Sequence, residues 1–126
     1  VENRIFLQGR TDKPWSVMAS VDAFVMNSRF EGFPNALLEA MGVGLPCVSS
    51  DCPSGPREIS RDGKDALLVP PGDVASLRSA LARMMGDSEL RADLGARARE
   101  SVVKRYSLDA VLAVWDGVFR QVGAIQ

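Results

Sequence analysis

The chain has 126 residues, with 15 Lys+Arg against 16 Asp+Glu for a net charge of −1, two cysteines and no histidine. That length accommodates one domain with a core, because chains of this size bury roughly two-thirds of their unfolded surface; 46% apolar and 25% charged residues exclude disordered, collagen-like and disulfide-scaffold classes. The near-zero charge removes the electrostatic case for nucleic acid or an anionic membrane as main partner, and the lack of histidine excludes Ser-His-Asp, Cys-His and His-ligated zinc chemistry within this chain.

In chain order, four short apolar runs bounded by turn residues read as buried parallel strands: Ile5–Leu7, Ala23–Met26, Pro46–Val48 and Ala66–Val69. Helical stretches lie between them. Pro14 suits a first helical position, with Trp15, Met18 and Ala19 on the apolar side. Pro34 opens a second helix through Leu37, Leu38, Ala40 and Met41, which Gly42 or Gly44 ends. After the Pro70-Pro71-Gly72 turn the pattern is helical only. Asp73 caps a segment carrying Val74, Leu77, Leu81, Met84 and Met85, which Gly86 stops. Ser88 begins a segment with Leu90, Leu94, Ala98 and Val102 four apart. Ser107 caps a third, whose Leu108, Val111, Leu112, Trp115, Val118, Phe119 and Val122 form a broad stripe expected to face the core. Strand–helix alternation followed by a helical tail predicts an open α/β sheet in one domain.

Cys47 and Cys52 lack the spacing of a zinc or CxxC redox motif and read as free thiols of a cytoplasmic protein. No apolar run reaches the roughly 18 residues of a membrane span, and Val1-Glu2-Asn3-Arg4 has no signal-peptide pattern. The absence of an initial Met leads us to expect further chain upstream.

The most informative segment runs from Ser28 to Met41, leaving a predicted strand and entering a helix. Gly32, Phe33, Pro34, Asn35 and Ala36 then form the loop and first turn at the carboxyl end of the sheet, where open α/β folds bind ligands. First-turn N–H groups lack intrahelical partners and suit a phosphate. Gly32 permits close backbone approach, and Pro34 removes only a donor that the helix does not use. Glu31 and Glu39 flank this anion site. A sugar nucleotide wants N–H donors for its diphosphate and carboxylate acceptors for its hydroxyls, so two carboxylates would grip two ends of one ligand. Spacing alone equally allows Glu31 to be a helix-dipole partner and Glu39 a solvated helix residue.

The ordered motifs Glu31-Gly32-Phe33-Pro34-Asn35-Ala36-Leu37-Leu38-Glu39-Ala40-Met41, Gly44-Leu45-Pro46-Cys47-Val48, Asp51 through Glu58, Gly63 through Asp73 and Arg105-Tyr106-Ser107 resemble retaining GT-B glycosyltransferases of family 4. The resemblance covers essentially the whole chain. It implies an incomplete Rossmann-like, three-layer α/β/α domain with a parallel sheet and a helical C-terminal tail. On that pattern residues 1–126 are part of a nucleotide-sugar-binding C-terminal domain, inactive alone, without its first strands, the N-terminal acceptor domain or an upstream Arg/Lys pair that grips diphosphate.

The resemblance further implies that Glu31 holds donor-sugar hydroxyls at the reacting centre. Backbone groups of Phe33, Asn35 and Ala36 contact sugar and diphosphate, with Gly32 and Pro34 shaping the loop, and Glu39 accepts from ribose. Pro34-Asn35 stands where Gly-Leu is often found, and Pro34 offers no N–H. Ser54 and Gly55, in the turn-rich loop after the third predicted strand, are candidate donor contacts or a structural turn. Arg29 and Arg57 read as phosphate partners or surface arginines. No metal or other cofactor is implied.

The implied donor is a nucleotide-sugar such as a UDP-hexose or UDP-hexosamine. The implied acceptor is a glycan or lipid-linked glycan in cell-surface polysaccharide synthesis, reached through the missing domain, which could also bring the protein to the inner face of the cytoplasmic membrane. With strand order 3-2-1-4-5-6, Ile5–Leu7 loses its neighbours and leaves an exposed edge open to homodimerisation or strand exchange. A non-catalytic α/β binding module and a fragment of a GT-B-related sugar-nucleotide epimerase are the alternatives.

Overall fold

The structure, a computed structural model, describes residues 2–124. Three parallel strands, β1 (Phe24–Met26), β2 (Cys47–Ser50) and β3 (Leu67–Val69), form one sheet in the order β1-β2-β3. Val25 pairs with Val48, and Ser49 with Leu68. The helices are α1 (Pro14–Met18), α2 (Asn35–Gly42), α3 (Pro56–Ile59), α4 (Val74–Gly86), α5 (Ser88–Tyr106) and α6 (Leu108–Gln121).

Alternation along β2 explains the layers. Cys47 joins Met26, Leu37, Ala40, Met41, Ile59 and Ala98 in a core beneath α2 and α5, while Val48 joins Val69, Ala80, Met84 and Leu94 beneath α4. An eight-residue helix is marginal by itself. Leu37 and Met41 are fully buried, and burial worth roughly 1.5–3 kcal/mol per large apolar side chain holds α2 in place. Its last residue is Gly42, and Gly44 makes the terminating turn: Gly44 takes φ +84°, its N–H donates to the Met41 carbonyl, and the Leu45 N–H donates to that of Ala40, each at 3.0 Å.

The expected caps form. Asp73 accepts from the Ser76 N–H at 2.9 Å and Ser107 from the Ala110 N–H at 3.3 Å, while Asp87, one residue before the expected start, caps α5 by accepting from Leu90. Both cysteines are free and buried, and burial pushes the Cys47 thiol up to about 12.

Three expectations need correction. Ile5–Leu7 forms no strand; it is exposed coil, with Leu7 96% accessible. A strand needs a neighbour for its backbone groups, and among the described residues none flanks it, so the sheet edge is β1 itself. Second, the α6 stripe does not face the core: none of its residues is buried, and Trp115 and Phe119 stack on each other at 5.7 Å while half exposed. Both core clusters are already closed by α2, α4 and α5, so the stripe enters neither of them. On a smaller scale, Trp15, Val74 and Met85 are also exposed, beside half-buried Met18, Leu77 and Leu81. Third, the Asp51–Glu58 segment is not all loop: from Pro56 it enters the short helix α3, which ends at Ile59.

Beyond α3 the chain turns through Arg61, Asp62 and Gly63, all at positive φ (50, 58 and 80°). Such conformations in non-glycine residues cost about 1–3 kcal/mol each. Arg61 is pinned by Asp65, which has no exposed surface: its Nε and Nη2 each donate to one carboxylate oxygen at 2.6 Å. Burial opposes the Asp65 charge, but Arg61 and the Ser101 hydroxyl outweigh it and hold the carboxyl below its usual range. A depressed folded-state pKa contributes stability that is present above the unfolded value, about 4, and lost as pH falls through the folded one. Asp65→Asn is therefore expected to cost about 2 kcal/mol at neutral pH, because Arg61 is half exposed and rehydrates. In urea titrations the gap from wild type should hold from pH 8 to 5 and close below about pH 4.

Candidate functional site

The carboxyl ends of β1 and β2 project two loops, residues 27–34 and 51–55, on one edge of the sheet. Ser50, the last residue of β2, donates its hydroxyl to the Ser28 carbonyl at 2.5 Å, tying the first loop to the second strand. The Ser28 hydroxyl in turn donates to Glu31 Oε1 at 2.5 Å. Glu31 is half-buried, with one oxygen held and its other free to accept further hydrogen bonds.

Pro34 sits at φ −79°, ψ 74°, and the Asn35 N–H donates to the Phe33 carbonyl at 2.9 Å, a tight inverse γ-turn at the entrance to α2. The Leu37 and Leu38 N–H groups both donate to the Pro34 carbonyl. This changes the expected donor set: the Asn35 N–H is engaged, and within the first turn the Ala36 N–H is left without a protein acceptor among the described residues. Asn35 and Ala36 are exposed. Glu39 lies one turn further on the face shared with them, opposite buried Leu37 and Met41. Gly32 is exposed with open space around its Cα.

The two loops meet at one point. Gly55, at φ +105°, lies so close to Pro34 that an added Cβ would fall 2.2 Å from the proline Cδ. Ser54, also left-handed at φ 67°, is exposed beside it. Sequence-predicted Glu31, Gly32, Phe33, Pro34, Asn35, Ala36, Ser54 and Gly55 thus gather at one edge, with Glu39 one turn along α2.

Arg57 pairs with Asp51 at the foot of the second loop. That partner explains its position without a phosphate and could be read in sequence only as opposite charges six residues apart. Arg29 is exposed and makes no ion pair among the described residues. The ring of Tyr106, at the end of α5, lies 6.4 Å from that of Phe33 and carries no local sequence signal for the site. Among the described residues no group of three or more His, Cys, Asp or Glu side chains could hold a metal ion, and no helix is long and apolar enough to cross a membrane.

A parallel sheet covered on both faces, with a carboxylate, a helix entrance and a glycine turn converging at its carboxyl edge, defines an α/β fold of the Rossmann-like kind. The chain belongs to the glycosyl transferases group 1 family, which it matches over residues 1–101.

It is 40% identical over 89 residues to a lipopolysaccharide 1,6-galactosyltransferase of Salmonella typhimurium, covering 68% of this chain and 25% of that protein. It is 34% identical over 111 residues to the lipopolysaccharide core biosynthesis glycosyltransferase LpsE of Rhizobium meliloti, covering 88% and 32%. Its fold matches that of GT-B glycosyltransferase C-terminal domains. The structure of the G117R mutant of S. aureus TarM in complex with Fondaparinux, alpha-GlcNAc-glycerol and UDP superimposes with a TM-score of 0.85 at 27% identity, over 94% of this chain and 24% of that one. The chain spans between 10% and 34% of the length of these and other curated relatives that it matches.

Proposed function

We propose that this chain forms the nucleotide-sugar donor site of a retaining glycosyltransferase that moves a hexose or N-acetylhexosamine, from a UDP-sugar, to a glycan or lipid-linked acceptor. One observation carries the reading: the Ser28-held Glu31 carboxylate, the Ala36 N–H, without an acceptor among the described residues, and the face of α2 that carries Glu39 follow one another at a strand–helix junction where Gly55 abuts Pro34. Support also comes from the UDP in the TarM complex and from relatives whose names are those of glycosyltransferases.

In this reading Glu31 accepts from the hydroxyls of the donor sugar and fixes it against the reacting anomeric carbon. The Ala36 N–H and the positive end of α2 meet the diphosphate, whose negative charge grows as the bond to the sugar breaks. Glu39 accepts from the ribose hydroxyls and holds the nucleoside end. Retention means that the acceptor oxygen bonds to the face that the diphosphate leaves. The acceptor and the cationic half of the diphosphate clamp are supplied from outside these residues, and no metal is assigned.

Calorimetric titration of UDP into the intact protein tests the assignment. A hydrogen bond to a charged group is worth about 1.5–3 kcal/mol, so Glu39→Ala is expected to weaken UDP roughly tenfold to a hundredfold. Unchanged affinity would remove Glu39 from the ribose. Glu31→Gln should leave UDP affinity in place and lower turnover of the UDP-sugar, because Glu31 faces the sugar and not the nucleotide.

A further inference from the structure

We propose that Arg105 is a positioning residue that holds the two loops of the candidate site in register, acting on one through α3 and on the other through Tyr106. Its planar fork meets four acceptors at once. Nη2 donates to the Glu58 carbonyl at 2.8 Å and to the Tyr106 hydroxyl at 2.9 Å; Nη1 donates to the Ile59 carbonyl at 3.1 Å and to Ser101 Oγ at 3.2 Å. Glu58 and Ile59 are the last residues of α3; carbonyls at a helix end favour a cation, and that of Glu58 also accepts from the Arg61 N–H at 3.2 Å.

From there the path is short in both directions. The Ile59 N–H donates to the Gly55 carbonyl at 2.8 Å, so fixing the end of α3 fixes Gly55, which abuts Pro34. On the other side the guanidinium carbon stands 4.8 Å from the Tyr106 ring centre, and that ring packs on Phe33, the residue before Pro34. The two routes close at Phe33–Pro34, the entrance to α2. Glu58 and Ile59 lie more than forty residues from Arg105 in sequence, so this one side chain ties the end of α5 to the end of α3. Lysine cannot replace it, since a single ammonium has no fork to span carbonyls and hydroxyl together.

The effect on ligand rests on the donor-site reading above, whereas the effect on loop geometry does not. The test therefore has two readouts on the intact protein, both taken well below its melting temperature. In Arg105→Lys, the backbone amide resonances of Phe33, Asn35, Ala36, Ser54 and Gly55 are expected to shift and their hydrogen exchange to quicken, and UDP affinity to fall about tenfold. An arginine that only stabilises the fold would lower the melting temperature and leave site amides and affinity in place; that result overturns the proposal.

If Arg105→Lys does not fold, Tyr106→Phe keeps the ring against Phe33 and removes one acceptor. It should move the Phe33 and Ala36 amides in a folded protein, and unmoved amides there again overturn the proposal. A wild-type protein that binds no UDP refutes the donor reading alone, and the amide comparison still decides the role of Arg105.

Discussion

Gly95→Ala is expected to destabilise the protein by about 2–3 kcal/mol, even though alanine is the better helix former by about 1 kcal/mol. Gly95 is buried within α5, where that helix crosses the end of α2, and an added Cβ would stand 2.3 Å from the Gly44 carbonyl oxygen. The obstacle is backbone, so no rotamer change relieves it. Gly44 cannot retreat either, because its positive φ and the hydrogen bonds of Gly44 and Leu45 to Met41 and Ala40 terminate α2.

Relief requires the two helices to separate, loosening Leu94 and Ala98 in both core clusters at once. Overpacking of this kind costs about 1–3 kcal/mol, and lost contacts at fully buried side chains add to it. For a domain of this length the melting temperature should fall by roughly 10 °C. A melt at or above the wild-type temperature would show that α2 and α5 are not held at this distance.

Gly55→Ala should give a loss of similar size, about 3 kcal/mol, concentrated at the candidate site. Two independent costs combine: an alanine at φ +105° is strained by about 1–3 kcal/mol, and its Cβ would meet the ring of buried Pro34 at 2.2 Å. A proline ring has no alternative rotamer to offer. The loop must move away from α2, separating Ser54 and Gly55 from Glu31 and Ala36, so UDP affinity should be lost even where most molecules remain folded. Gly32→Ala provides the contrast, because nothing lies near the added carbon and φ there is not positive; its stability should stay within about 0.5 kcal/mol of wild type. Urea denaturation with UDP titration on both variants separates the cases, and equal behaviour of the two would refute the packing of Gly55 on Pro34.

Much of the fold was legible because its signals are local. Runs such as Ala23–Met26 and Ala66–Val69 are short, apolar and bounded by turn residues, and Asp73 and Ser107 can cap their helices with atoms three residues away. The position of residues 31–36 at the strand–helix junction was readable for the same reason. The short helix α3 was not, since Pro53, Gly55 and Pro56 read as a loop until the Ile59–Gly55 hydrogen bond closes a turn. Nor was the γ-turn at Pro34, which takes the Asn35 N–H for the Phe33 carbonyl and leaves those of Phe33 and Ala36 from the expected donor set.

The amphipathic stripe on α6 and the apolar run Ile5–Leu7 mark where sequence and structure part. Periodicity records that a face or strand favours burial; it does not say against what, and here the stripe stays outside the core and the run joins no sheet among the described residues. Sequence by itself determined the three strands of the sheet, all the α-helices but α3, their order and the place of Glu31 and Gly32 at the strand–helix junction, because propensity, capping and alternation act over a few residues. Only the tertiary structure decided which of these meet: Pro34 with Gly55, Ser50 with Ser28, Phe33 with Tyr106, and Arg105 with the end of α3. Contacts between residues more than twenty apart follow from how helices and strands pack, and the chain carries no local mark of them.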